Sequence, residues 1–143
     1  MPSSAAVQPP RLPALVAALW WGSLTTIGFL VVPLLFMHLP TPALAGGMAA
    51  KLFTAQTWMS VACGGILLLT STSKQASAPA QRAHDAIVFI LLGMLLALLV
   101  EFAVAPRIVT RTNLKLWHSV GSVMYLVQWL CAAIVFWRIT PKQ

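Results

Sequence analysis

The sequence predicts an all-α integral membrane protein, an antiparallel four-helix transmembrane bundle, and three observations support this fold class. The 143-residue chain is 59% hydrophobic and 8% charged, with a mean hydropathy of +0.88, whereas about 25% of the residues of a soluble domain are charged. The apolar residues form four long runs that short polar segments separate. Within these runs only Glu101 and Arg138 carry a full charge, and Arg138 lies at a helix end, from which its side chain can reach the interface.

The four runs cover about residues 12–37, 52–70, 86–105 and 116–139. Each has close to the roughly 20 residues that an α-helix needs to cross the hydrocarbon core. Together they predict one four-span domain, residues 12–139. Residues 1–11, rich in Pro, Ser and Ala, are expected to form a disordered tail, and residues 140–143 a short C-terminal tail.

Proline residues and a capping residue predict where the helices bend, begin and end. Pro33 lies inside the first span and is expected to kink it. Thr41 followed by Pro42 has the pattern of an N-cap with proline at N1, so the second helix is expected to begin well before its membrane run. Pro106 is expected to close the third helix, after which a short connection leads to the fourth.

Small and polar residues at helical spacing predict the faces that pack inside the bundle, because lipid provides no hydrophobic drive between helices. One such stripe occurs in each span: Ala14, Ala18, Gly22 and Thr26; Gln56, Ser60 and Cys63; Gly93, Ala97, Glu101 and Ala105; and His118, Ser122, Tyr125 and Trp129, flanked by Gly121, Gln128 and Ala132. The remaining positions are mostly large and apolar, so each span has both an inner and a lipid-facing side.

The candidate polar site inside the membrane centres on Glu101, the only acidic residue of a span. The turn between the third and fourth spans centres near residues 109–110, about eight residues from Glu101 and from His118. In an antiparallel hairpin these two side chains lie at nearly the same depth, so we expect them to form a hydrogen bond or an ion pair. Three further residues are expected at the same end of the bundle: His38, Gln56 and Arg107.

Three interpretations of this pair remain open. The pair locks the third helix to the fourth, relays protons or binds a cation as in a transporter, or belongs to a haem or metal site with His38 and His118 as ligands. Recognised ligand spacing is missing, so no cofactor is predicted and the identity of any metal is left unknown. The sequence has no Ser/His/Asp triad, paired carboxylates or phosphate-binding loop, so no enzymatic activity is predicted.

The net charge of +7 indicates the partners and the orientation. Basic residues in loops and tails favour contact with the anionic headgroups of a lipid bilayer, and nucleic acid is not expected because no basic face is present. A homo-oligomer or a partner membrane protein is expected, since four spans enclose little space. The positive-inside rule favours cytoplasmic termini by five charges to four: Arg11, Lys74, Arg82, Arg138 and Lys142 against Lys51, Arg107, Arg111 and Lys115.

Several short segments resemble the small bacterial members of the transmembrane protein 205-like family. They are Ala18-Leu19-Trp20-Trp21-Gly22-Ser23, Val32-Pro33-Leu34-Leu35-Phe36, Ala45-Gly46-Gly47-Met48, Leu52-Phe53, Pro106-Arg107 and Leu116-Trp117-His118-Ser119. The resemblance extends from about Leu12 to Ile139. One departure is Gly47, an extra glycine that should loosen the start of the second helix.

The resemblance implies a four-span bundle in the bacterial inner membrane, a domain of unknown function without established catalytic activity. The positions that match the family motifs are expected to be architectural: Gly22, Pro33, Phe36, Gly46, Phe53, Pro106 and His118. The sequence thus predicts a small, non-enzymatic, structural, interaction or accessory membrane protein. The alternative is a small transporter or a metal- or haem-binding membrane protein that uses an inward Glu101/His118 pair.

Overall fold

The computed structural model describes residues 11–71, 78–111 and 113–140, and all of the regular structure in these ranges is helical. Four of its helical segments are long and apolar enough to cross a membrane. The prediction of an all-α membrane protein with four spans is therefore confirmed. Large apolar side chains are exposed on all four segments, as is typical of surfaces that face lipid.

Two of the four helices are continuous α-helices, and two contain a π-helical stretch. α1 consists of Arg11–Thr26, the π-helical stretch Ile27–Val31 and Val32–His38. α2 is Pro42–Ser71 and α4 is Leu114–Ile139. α3 is built like α1, from Ala78–Leu99, the π-helical stretch Val100–Val104 and Ala105–Val109.

The start of α2 agrees with the predicted N-cap. The Thr41 hydroxyl accepts a hydrogen bond from the backbone N–H of Leu44 at 3.3 Å, which satisfies one of the N–H groups that a helix start leaves without a partner. Because the helix begins at Pro42, it extends ten residues beyond the predicted run. At the N-terminus α1 begins at Arg11. The rest of the predicted N-terminal tail, residues 1–10, lies outside the described ranges, as do residues 141–143 of the predicted C-terminal tail.

The prediction that Pro106 ends the third helix is wrong, because α3 continues to Val109. In an α-helix a proline ring clashes with the preceding turn. Here Val100–Val104 is π-helical and ends two residues before Pro106, and the wider i→i+5 turn gives the ring room. Pro33 likewise follows the π-helical stretch of α1 by two residues. α3 also begins earlier than predicted, at Ala78 rather than at residue 86.

Contacts between neighbouring helices pair early residues of one helix with late residues of the other. In α3 and α4, the Arg138 guanidinium lies 4.9 Å from the ring centre of Phe89. At the other end of these helices, the Arg107 guanidinium lies 4.4 Å from that of Trp117. The antiparallel arrangement of the complete bundle stays a prediction, and these contacts have the order that it requires.

The apolar core lies in the half of the bundle that contains the start of α1. Trp20 is completely buried there, and its indole ring occupies the space left by the missing side chain of Gly93 on α3. The cluster of buried residues comprises Val16, Ala17, Trp20, Leu24, Cys63, Leu67, Ala86, Ile90, Ala132 and Val135. Beyond this core, towards the connections from α1 to α2 and from α3 to α4, lie the buried polar side chains Gln56, Thr57, Ser60 and Gln128.

Candidate functional site

Four polar side chains join α1, α2 and α4 inside the bundle, and we call them the polar layer: Ser23, Gln56, Ser60 and Gln128. Gln56 lies at the midpoint of α2, and its Nε2 donates to Ser23 Oγ at 3.0 Å. Ser60 Oγ accepts from Gln128 Nε2 at 3.0 Å and donates to the Gln56 carbonyl at 2.9 Å. Ser60 is completely buried and both glutamines are nearly so. Because a hydrocarbon environment offers no competing water, these bonds fix the relative positions of three helices.

Two further hydrogen bonds connect α1 directly to α4. The Tyr125 hydroxyl donates to the Leu24 carbonyl at 2.8 Å. Trp129 Nε1 donates to Thr25 Oγ1, also at 2.8 Å. Leu24 and Thr25 lie in the last turn before the π-helical stretch of α1, where the regular i→i−4 bonding pattern changes. Side chains of α4 therefore stabilise the turn in which α1 departs from α-helical geometry.

A small chamber lies beside the polar layer, between α2, α3 and α4. Its volume is about 10 Å³, close to the minimum that holds one water molecule. The lining residues are Phe53, Gln56, Thr57, Val100, Tyr125 and Gln128. None of these side chains is ionisable at neutral pH, so the chamber has a polar but uncharged lining.

Glu101 lies outside this chamber, on the side of α3 that faces α2. Thr54 Oγ1 donates to its carboxylate, at 2.9 Å from Oε1 and 3.1 Å from Oε2. Glu101 is half-buried and Thr54 is exposed. Among the described residues Thr54 is the only hydrogen-bond partner of the carboxylate, so the predicted pair of Glu101 with His118 is not formed.

His118 is exposed and lies along a shallow groove on the outer side of α4, with Leu114, Lys115, Ser119, Ser122 and Val123. The prediction placed Glu101 and His118 on inward-facing stripes at nearly equal depth. For His118 the inward direction is wrong, because His118 and its stripe neighbour Ser122 are exposed. On α3 the side chains that lie against Gly121 of α4 are those of Val104 and Ile108. Glu101 belongs to the π-helical stretch, where the angle between successive residues is smaller than the 100° of an α-helix, and it contacts α2 instead.

Arg107 does not reach Glu101 either. Its Nη1 donates to the Ala103 carbonyl at 2.6 Å, and its guanidinium stacks on Trp117, where it joins the ends of α3 and α4. His38 is exposed, and its Nδ1 lies 3.0 Å from the Leu34 carbonyl of its own helix. Of the five residues predicted for one site, Gln56 alone belongs to the polar layer.

The described residues contain no group of three or more His, Cys, Asp or Glu side chains placed to hold a metal ion. The residues that carried the family resemblance lie mostly at the bundle surface. Pro33, Phe36 and Pro106 are exposed, while Gly22 and Gly46 are half-buried with open space around them. Phe53 differs, because it lines the chamber and packs edge-on against Tyr125, with ring centres 5.3 Å apart.

Residues 15–115 match the family described as Domain of unknown function (DUF4149). The chain belongs to this family. The matched range covers α1 from Leu15, α2 and α3, and it ends at the beginning of α4. No curated protein and no solved structure matches the chain.

Sequence reasoning found part of the polar layer and missed the rest. The stripe of Gln56 and Ser60 was predicted to face inward, and Gln128 was expected beside the inner stripe of α4. Ser23 and Thr54 were missed, because the hydroxyl of a serine or threonine in a span commonly bonds to its own helix. What distinguishes Ser23 and Thr54 is a polar residue at the same depth on another helix. This can be recognised only when the relative positions of the helices are known.

Substituting Ser60 by alanine tests whether the polar layer holds the helices of this DUF4149 protein together. The variant removes the acceptor of Gln128 Nε2 and leaves that donor buried without it. We expect the free energy of unfolding to fall by about 0.6–1.7 kcal/mol, the usual range for a hydrogen bond between membrane helices, as measured by denaturation in detergent. Ser119→Ala is the control, since this exposed hydroxyl bonds only to the Lys115 carbonyl of its own helix. Equal stability of the two variants would show that the bond between Gln128 and Ser60 does not hold the helices together.

Proposed function

We propose that the chain is a non-enzymatic structural or interaction protein of the membrane, and that it associates with a second copy of itself through the outer side of α2 and α3. The observation that carries this proposal is the position of Glu101. It is the only acidic residue of the four predicted spans, it is half-buried, and it accepts a hydrogen bond from an exposed threonine. We call Lys51, Thr54 and Glu101 the Glu101 face.

The Glu101 carboxylate has unfilled acceptor sites, which favour binding of a second hydrogen-bond donor. An ionised carboxylate has about four acceptor sites, and one hydroxyl group satisfies only part of them. Charged groups inside a membrane are costly and pair with other polar groups. A cation from a neighbouring membrane helix would complete the coordination of Glu101 and reduce that cost.

The chain itself carries a cation at the required place. Lys51 precedes Thr54 by three residues on α2, and residues with this spacing are neighbours on a helix surface. Lys51 is exposed, and within the described ranges it forms no ion pair. We therefore pair Lys51 of one copy with Glu101 of the other. In a twofold dimer each contact occurs twice, so this pair forms once on each side of the axis. Lys51 and Glu101 differ slightly in depth, and the long lysine side chain spans this difference.

The interior of the bundle supports an interaction role rather than the alternative of a transporter or a haem or metal protein. The polar layer is joined by its own hydrogen bonds, and the chamber of about 10 Å³ leaves no space for an organic substrate. The Glu101/His118 pair on which that alternative depended is not formed. We therefore place the function of the chain at its outer surface.

Two finer assignments belong to the same proposal. The motif residues favour the transmembrane protein 205-like group, in which small bacterial members are four-span proteins of the inner membrane. The excess of one basic residue at the terminal side favours cytoplasmic termini. An accessory role, with a different membrane protein at the Glu101 face, is the competing outcome of the test below.

Replacing Glu101 by glutamine tests the proposal. We expect the self-association constant in liposomes, measured by energy transfer between labelled copies, to fall about eightfold or more, because two pairs are lost in each dimer and an intramembrane polar contact contributes about 0.6–2 kcal/mol. Lys51→Gln is expected to have the same effect, and Lys115→Gln, on the outer side of α4, is the matched control. A monomeric native protein, or association that is unchanged in Glu101→Gln, would overturn the proposal.

A further inference from the structure

The two helical hairpins of the chain, α1 with α2 and α3 with α4, repeat the same plan at a spacing of 72 or 73 residues. The π-helical stretches begin at Ile27 and Val100, which are 73 residues apart. The prolines that follow them, Pro33 and Pro106, are also 73 residues apart. The helix after each proline begins at Pro42 in the first hairpin and at Leu114 in the second, a spacing of 72.

Equivalent side chains of α2 and α4 keep the spacing of 72 and meet inside the bundle. Phe53 and Tyr125 are one such pair, and their rings pack against each other. Gln56 and Gln128 are the second pair, and the Nε2 groups of both lie within hydrogen-bonding distance of Ser60 Oγ, at 3.4 and 3.0 Å.

The chamber lies between these two pairs. Phe53, Gln56, Tyr125 and Gln128 all line it, together with Thr57 of α2 and Val100 of α3, and no described residue of α1 lines it. The chamber is therefore shared by the equivalent helices of the two hairpins, α2 and α4.

Three polar groups of the chamber residues have no hydrogen-bond partner within the described ranges. Thr57 is 4% exposed, and its hydroxyl makes no hydrogen bond there. Gln56 and Gln128 donate through Nε2, and their Oε1 carbonyls accept none. A polar atom that faces a site inside a membrane bundle and has no protein partner is costly. A molecule in the chamber that both donates and accepts hydrogen bonds would satisfy all three.

The volume and the charge of the chamber define the ligand. About 10 Å³ admits a single molecule of the size of water. An ion would lie buried without a compensating charge, since all six lining residues are neutral. We infer that the chamber is a binding site for one water molecule, which donates to the two glutamine carbonyls, accepts from Thr57, and so joins α2 to α4.

Thr57→Val tests this inference through the sign of its effect, because valine keeps the shape of threonine and removes the hydroxyl. If the site holds water, the variant deprives that water of a partner, and the melting temperature of the full chain in detergent falls by about 2–4 °C. If the chamber is empty, the variant removes an unpaired buried hydroxyl, and the melting temperature rises or stays unchanged, which overturns the inference. Thr26→Val, at an exposed position of α1, is the control and is expected to change little.

A high-resolution experimental structure of the full chain supplies the second measurement. The expected result is one density peak within hydrogen-bonding distance of Thr57 Oγ1 that is lost in Thr57→Val. An empty chamber would overturn the inference, and so would anomalous signal from rubidium soaked into the crystals, which would identify a cation. Because Glu101 and Lys51 remain intact in every variant used here, this result is independent of self-association.

Discussion

Gly93→Ala is expected to lower the free energy of unfolding by about 1–3 kcal/mol, the usual cost of adding a methyl group to a filled core. A Cβ atom at this position would lie 2.9 Å from Cη2 and Cζ2 of Trp20. Trp20 is completely buried, so its indole ring has no free space into which to move. The expected loss therefore arises from contact between two helices and not from the helix propensity of alanine, which is higher than that of glycine.

A double-mutant cycle separates these causes. Trp20→Phe removes the outer part of the indole ring, which includes the two atoms that the new methyl group would approach. In that background Gly93→Ala is expected to cost little, because the partner atoms are absent. Gly22→Ala is the matched control in α1: nothing lies within 4 Å of its added Cβ, so we expect unchanged or increased stability. An equal cost of Gly93→Ala in both backgrounds would show that Trp20 is not the obstacle.

Gly28→Ala has the second large expected effect, a loss of about 2–4 kcal/mol that combines overpacking with a lost interhelical hydrogen bond. Gly28 belongs to the π-helical stretch of α1, and a Cβ atom there would overlap the ring of Tyr125. Displacing this ring would break the hydrogen bond from its hydroxyl to the Leu24 carbonyl. It would also disturb the packing of Tyr125 on Phe53.

The measurement is thermal or denaturant-induced unfolding in detergent, together with near-ultraviolet circular dichroism, which reports the packing of aromatic rings. Gly65→Ala serves as the control in α2, since open space surrounds its added Cβ. We expect a weakened aromatic signal for Gly28→Ala and an unchanged one for Gly65→Ala. If both variants were equally stable, Tyr125 would not be held as the structure places it.

The spans could be predicted from the sequence because their length and hydropathy are local properties. The ends of the spans were harder to predict from the sequence. Pro106 ordinarily ends a helix, and only the π-helical stretch before it allows α3 to continue to Val109. No single residue type marks a π-helical stretch, so the sequence offered no reason to expect one at Ile27 or Val100.

The inner faces were predicted well for α2 and only in part for α1 and α4. In α4, His118 and Ser122 of the predicted stripe are exposed, whereas Gln128 beside it is buried. Gln56, Ser60 and Cys63 of α2 are all buried, as predicted. In α1 the predicted stripe that runs from Ala14 to Thr26 does not form the inner face, which Trp20 and its neighbours occupy instead. A large side chain fits there because the opposite residue on α3 is a glycine. Such complementarity depends on the residues of two helices, so the sequence of one helix does not predict it.

The candidate site shows the same limit. Equal depth was expected to bring Glu101 together with His118 of α4, but Glu101 meets Thr54 of α2 instead. Depth follows from counting residues, whereas direction around the axis depends on local helix geometry, and Glu101 lies in a π-helical stretch. The stabilising pairs of the polar layer were hidden for the same reason.

A test with exchanged charges addresses the proposed interaction most directly. Lys51→Glu gives a copy whose Glu101 face carries only acidic groups, and Glu101→Lys gives a copy whose face carries only basic groups. Each variant alone is expected to remain monomeric in liposomes, because like charges meet at its own interface. Energy transfer between differently labelled copies of the two variants is expected to show one-to-one association when they are mixed. A mixture that stays monomeric, while the native protein dimerises under the same conditions and both variants remain helical, would contradict pairing of Lys51 with Glu101 between copies.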